Sequence, residues 1–222
     1  MRVAYSAMVL LWACGGSSAA TGSQTLALEG SADAPPSMEA LPGGGSPGDQ
    51  STEKMRFAWL LATESFELAR PRRPPRGARM QELQMWSDQE LQRWLAQKNQ
   101  LVEAARAELN EAAEENHPQR VLAGALVGLM YEDVARVLLD VPVPAELRRE
   151  PDIARIYREV VVAQAKPYLD HARRAYRACE LNGRGRSRLG DWSRFCEERS
   201  ARLPETDLAP GESRTTVEVV RE

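Results

Sequence analysis

Val121-Leu-Ala-Gly-Ala-Leu-Val-Gly-Leu-Met-Tyr131 is eleven residues without a charge, and its reading decides the fold. The run is too short to span a membrane but long enough for a buried helix. A helix apolar on every side has to be enclosed, so the amphipathic segments around it are expected to pack against it. The pattern predicts this central helix over Gln119–Val141. Gly124 and Gly128 leave gaps where a neighbouring helix can come close, at a propensity cost of about 1 kcal/mol each.

Upstream, Ser87-Asp88-Gln89-Glu90 reads as a capping box, with Trp86 and Leu91 placed as a hydrophobic staple. The helix it opens carries Leu91, Trp94, Leu95, Leu101, Val102, Ala105, Leu109 and Ala112 on its buried face, and Pro118 ends it at or before His117. Earlier still, Met55, Trp59, Ala62, Phe66 and Ala69 recur at spacings of three and four, one helical stripe over Thr52–Ala69. Pro71, Pro74 and Pro75 stop it.

Downstream of a Pro-broken turn, a stripe from Ile153 through Tyr157, Leu169 and Tyr176 to Cys179 stays in phase across Pro167. One kinked helix explains that better than two unrelated ones. Asn182-Gly183 supplies the stop, Asp191 is a cap for a last short helix bearing Trp192, Phe195 and Cys196, and Pro204 closes it. The expectation is an all-α helical domain over residues 51–203, followed by a mobile tail over 204–222.

The N-terminus reads as an address. Arg2 is a minimal positive region and Val3–Ala13 an apolar run of export length. It ends in Leu11-Trp12-Ala13-Cys14-Gly15, which resembles a bacterial lipobox, with Trp12 departing from the usual small or β-branched residue. The resemblance implies a signal peptide and lipobox over residues 1–14 and lipidation of Cys14. Two or three acyl chains, at about 0.8 kcal/mol per buried methylene, would anchor the chain durably. It also implies the cell envelope, with Gly15 after the Cys leaning toward the outer membrane, facing the periplasm. Residues 15–50 hold 24 Gly, Ser, Pro or Ala among 36 and no aromatic, so they read as an unstructured tether.

A net charge of −3 and a pI near 5.7 exclude a globally basic nucleic-acid binder. Arginine is nonetheless concentrated in two places. Arg72, Arg73 and Arg76 crowd the Pro-rich loop, and Arg184, Arg186 and Arg188 alternate through a Gly/Ser loop. Solvated connectors are the plain reading of both; contacts to an anionic surface or partner are the alternative.

No P-loop, H-E-x-x-H or C-x-x-C occurs, and the letters G-x-S-x-G appear only as Gly44-Gly45-Ser46-Pro47-Gly48 in the Gly/Ser/Pro-rich segment, with no strand-to-helix elbow around them. The two histidines, His117 and His171, sit in no metal-ligand spacing, and no metal or cofactor is expected. His171 and Cys179 lie two turns apart as a notional base and thiol, but a surface His and a structural Cys account for them more simply. Carboxylates are plentiful on the charged helices and read as solvated surface. With Cys14 acylated, Cys179 and Cys196 remain as an even pair on the apolar faces of adjacent helical segments. Export would place them in an oxidising compartment, so a disulfide between them is expected.

Val127, Gly128 and Tyr131 resemble the large–small–aromatic spacing of the first helix in a tetratricopeptide repeat. Ala172, Tyr176 and Cys179 resemble its second helix. The halves lie about thirty residues further apart than one such repeat permits, so the resemblance is to a degenerate helical array over Gln119–Leu203. Asp140-Val-Pro-Val-Pro-Ala-Glu-Leu147 is similar to linkers of tetratricopeptide envelope proteins, some linked to gliding motility. The resemblance implies a non-catalytic, membrane-anchored scaffold or adaptor whose partners are envelope proteins. A small envelope enzyme or accessory subunit is the first alternative, and an arginine-mediated binder of anionic surfaces the second.

Overall fold

The computed structural model describes residues 36–204 except 45, 49, 50 and 76, and among them there are helices and no strands. The helices are α1 (Glu53–Glu67), α2 (Met80–Trp86), α3 (Gln92–Glu115), α4 (His117–Leu139), α5 (Pro151–Gly183) and α6 (Gly190–Arg202). Cys14, Arg76 and the tail beyond residue 204 lie outside the described residues.

The apolar run is the centre of α4. Val121, Ala125, Leu126, Leu129 and Met130 are completely buried, enclosed on several sides as an all-round apolar helix requires. Asn116 starts α4: its side chain accepts the Gln119 amide at 3.1 Å, and Pro118 sits in the first turn where no N–H is needed. The same Asn116 ends α3, so α3 and α4 form a tight antiparallel pair, with Arg120 opposite Ala113 and Tyr131 opposite Glu103. α5 runs antiparallel along another side of α4. Gly124 meets Cys179 and Gly128 meets the Tyr176 ring, so a Cβ at Gly128 would come within 2.5 Å of that ring. Both glycines are therefore crossing points of two helices. α4 and α5 are 23 and 33 residues long, together more than one 34-residue repeat holds.

Four expectations are corrected. Ser87 is no N-cap: α2 passes through a π turn at Ser87–Leu91 into α3, and the helix begins at Met80. The cap there is one-sided: the Glu82 carboxylate accepts the Arg79 amide at 2.8 Å, and Trp86 donates its indole N–H to the Arg72 carbonyl at 2.6 Å. A π turn inserts one extra residue, which rephases the face of Leu83 with that of Leu91 and Trp94. Second, the segment expected as a tether through residue 50 reaches the core at Leu41, 2% exposed, with Met38 packed beside it. Those two large apolar side chains are what the composition average concealed. Third, Asp191 stands in the first turn of α6 rather than at its cap. Fourth, the apolar stripe of α5 is not buried throughout: Ile153, Ile156 and Val160 are exposed, and the buried face starts in earnest at Ala165. α5 otherwise continues through Pro167 as one helix.

Cys179 and Cys196 are joined as a disulfide, Cα atoms 6.1 Å apart, and fasten α6 to α5. Trp192 meets Trp59 of α1 edge to face, and Phe195 meets Tyr176 the same way. α6 is thus tied to α1 as well as α5.

Candidate functional site

Immediately after the apolar run come Glu132 and Asp133, and both are buried, at 1% and 3% exposure. Successive residues on a helix point about 100° apart, so the two carboxylates enter different interfaces. Glu132 turns toward α5 and α6. It accepts two hydrogen bonds from Arg199 at 3.0 and 2.7 Å, one from the Tyr176 hydroxyl at 2.7 Å and one from Arg136 at 2.9 Å. Asp133 turns toward α1 and α3, where it pairs with Lys98 at 2.7 Å and with Arg70. Lys98 also donates to the Ser65 carbonyl and lies 4.8 Å from the Phe66 ring centre. Burial lowers the proton affinity of Lys98, against the pull of Asp133, and burial with the Glu132 carboxylate pushes the Tyr176 hydroxyl well up. Every charge here has its partner in the fold. These carboxylates, expected as solvated surface, are internal clasps.

The open feature lies on the other side of α4. A groove of about 350 Å³ runs between α3, α4 and α5. α4 contributes Arg120, Ala123, Gly124, Val127 and Tyr131, a single stripe at helical spacing. α5 contributes His171, Arg174, Ala175, Ala178 and Asn182 in the opposite direction, and α3 adds Arg106, Asn110 and Ala113. The middle of the floor is therefore small and apolar, and its ends are cationic.

At the Tyr131 end, His171 stacks on the Tyr131 ring, centres 4.7 Å apart. The Tyr131 hydroxyl donates to Glu103 at 2.7 Å, and Glu103 also pairs with Arg106 at 2.5 Å. Burial, then the nearby Arg174 and Arg106, hold His171 below its usual 6.5, with Glu103 and Asp170 opposing. The local field is positive despite those acids. Arg120 spends its Nε on the Ala113 carbonyl at 3.0 Å. Arg174 is exposed and has no ion pair or hydrogen bond among the described residues.

The arginines singled out in the sequence are placed elsewhere. Arg73 pairs with Asp140 at 3.1 Å and lines, with Arg70 and Trp86, a smaller cleft of about 100 Å³. The Arg72 amide donates to Glu90 at 3.2 Å. Arg184 pairs with Glu180, Arg186 donates to the Asn182 carbonyl at 3.0 Å, and Arg188 is exposed. Arg106, Arg120 and Arg174, which line one groove, lie far apart in the chain and form no local sequence pattern. The stripe Arg120–Gly124–Val127–Tyr131 was readable as one face, but its opposition to Arg174 depends on the antiparallel register. Cys179, held in the disulfide, offers no thiol to His171. Among the described residues no three His, Cys, Asp or Glu side chains gather as a metal site, and no helix is long and apolar enough to cross a membrane. No family model matches the chain, and no curated protein or solved structure matches it.

Proposed function

We propose that this protein is a non-catalytic scaffold of the cell envelope, lipid-anchored through Cys14 at the outer membrane and facing the periplasm, that holds a segment of a partner protein. The observation that supports this reading is the groove between α3, α4 and α5, whose small-residue floor admits a peptide backbone closely. The buried ionisable groups at Glu132 and Asp133 are occupied by structural partners, so the open surface, rather than the charged interior, is where this chain meets another molecule.

Ala178→Trp tests the reading. Ala178 is exposed and lines the groove, so the indole fills the groove without entering the core. Purified from detergent-solubilised envelope with the N-terminus intact, the parent chain is expected to bring down a defined partner that the variant loses at unchanged melting temperature. An identical set of captured proteins from both would remove the groove from the proposal.

A further inference from the structure

The groove's lining holds three arginines and a histidine and no carboxylate, and the cations sit toward its two ends. Arg120 marks one end. Arg106 and Arg174 flank the other, beside His171. From Arg120 to Tyr131 is eleven helical steps, or about 16 Å at 1.5 Å per residue. An extended peptide covers that in about five residues at about 3.3 Å each. Guanidinium groups receive carboxylates in paired hydrogen bonds, and of these three Arg174 is without any partner among the described residues.

We propose that the occupant of this groove is an acidic peptide segment, extended along α4, with carboxylates at the Arg120 end and at the Arg106–Arg174 end and small or apolar residues between. The inference rests on the reading of the protein as a scaffold and names the chemistry of its partner. A carboxylate seated between Arg106 and Arg174 would offset the two cations that, with burial, disfavour protonation of His171. The groups facing that ring are Arg174 and Asp170 on α5, Arg106 and Glu103 on α3, and Tyr131 on α4. Binding therefore raises the proton affinity of His171. Affinity then increases as pH falls through the raised value toward the lower value of the empty groove.

The test titrates the full chain, in non-ionic detergent, with N-acetylated and C-amidated Glu-Ala-Val-Ala-Glu, alongside Gln-Ala-Val-Ala-Gln, inorganic phosphate and phosphatidylglycerol vesicles. The acidic peptide is expected to saturate, to weaken with added salt, and to shift the His171 ring resonances toward the protonated form. Arg174→Gln is expected to weaken it about tenfold, the scale of one well-made charged hydrogen bond, with the melting temperature unchanged. Equal binding of both peptides overturns the proposal. So does phosphate saturating at the same concentrations as the acidic peptide, which marks a bare anion site, or vesicle binding without peptide binding, which marks a membrane surface. If the acidic peptide fails while Ala178→Trp still abolishes partner capture, the scaffold reading stands and only the acidic ligand falls.

Discussion

Two successive carboxylates on α4 are turned by the helix into two separate interfaces, and each meets a cation from another helix, Arg199 of α6 for Glu132 and Lys98 of α3 for Asp133. Glu132 is the more enclosed, and its partner Arg199 is itself buried. Removing one member of a buried pair strands the other without a counter-charge, whereas replacing both by apolar groups avoids that penalty. Glu132→Gln is therefore expected to cost about 3–5 kcal/mol. Glu132→Met combined with Arg199→Met should cost much less than the single change. Urea unfolding of the three proteins checks this, and a single-variant loss below about 1 kcal/mol would show the clasp to be dispensable.

At the scale of the helix, α6 is thirteen residues long and too short to hold its own conformation without docking. The disulfide, the Arg199–Glu132 contact and the two edge-to-face aromatic pairs all dock it. Cys179→Ala with Cys196→Ala is expected to lower stability by about 3 kcal/mol in the chain-entropy model for a loop of this size. The fold should remain, and amide exchange should quicken in α6 ahead of α4. Mass spectrometry of the unreduced, alkylated parent must first show both thiols protected; free alkylation of both would rule the bridge out. Much at this scale was legible. The all-round apolar run declared itself as the central helix, and Gly124 and Gly128 declared the crossing. What stayed hidden depended on phase and depth. Ser87-Asp88-Gln89-Glu90 has the composition of a helix start, yet the helix begun at Met80 carries on through a π turn there, with Leu83 and Leu91 both buried. Glu132 and Asp133 follow the apolar run like ordinary surface acids, and only their partners, 67 and 35 residues later and earlier, make burial tolerable. The groove was invisible for a related reason: its three arginines come from three helices whose register no local pattern carries.

For the whole molecule, the scaffold reading requires that the helical body be held at a membrane, and that requirement concentrates on one atom, the Cys14 sulfur. Cys14→Ser is expected to release the protein from the membrane fraction or to leave an uncleaved precursor. A mature-sized product that still partitions with membranes, with no acyl mass at its N-terminus, would sink the anchor and with it the location. The disulfide and the groove would be unaffected, because both are built from residues 103–196 alone.

Only three of the 29 basic residues are lysines, and the structure treats them unequally. Lys54 and Lys166 keep their side chains about half in solvent, at 54% and 44%, whereas Lys98 is sealed at 1% beneath Ser65 and Asp133. To an acylating reagent the folded protein thus presents two lysine amines and withholds a third. The withheld one becomes nucleophilic only in molecules whose α1–α3 seam has parted. Counting acyl groups on Lys98 against time would clock that parting directly, with no label to be engineered in.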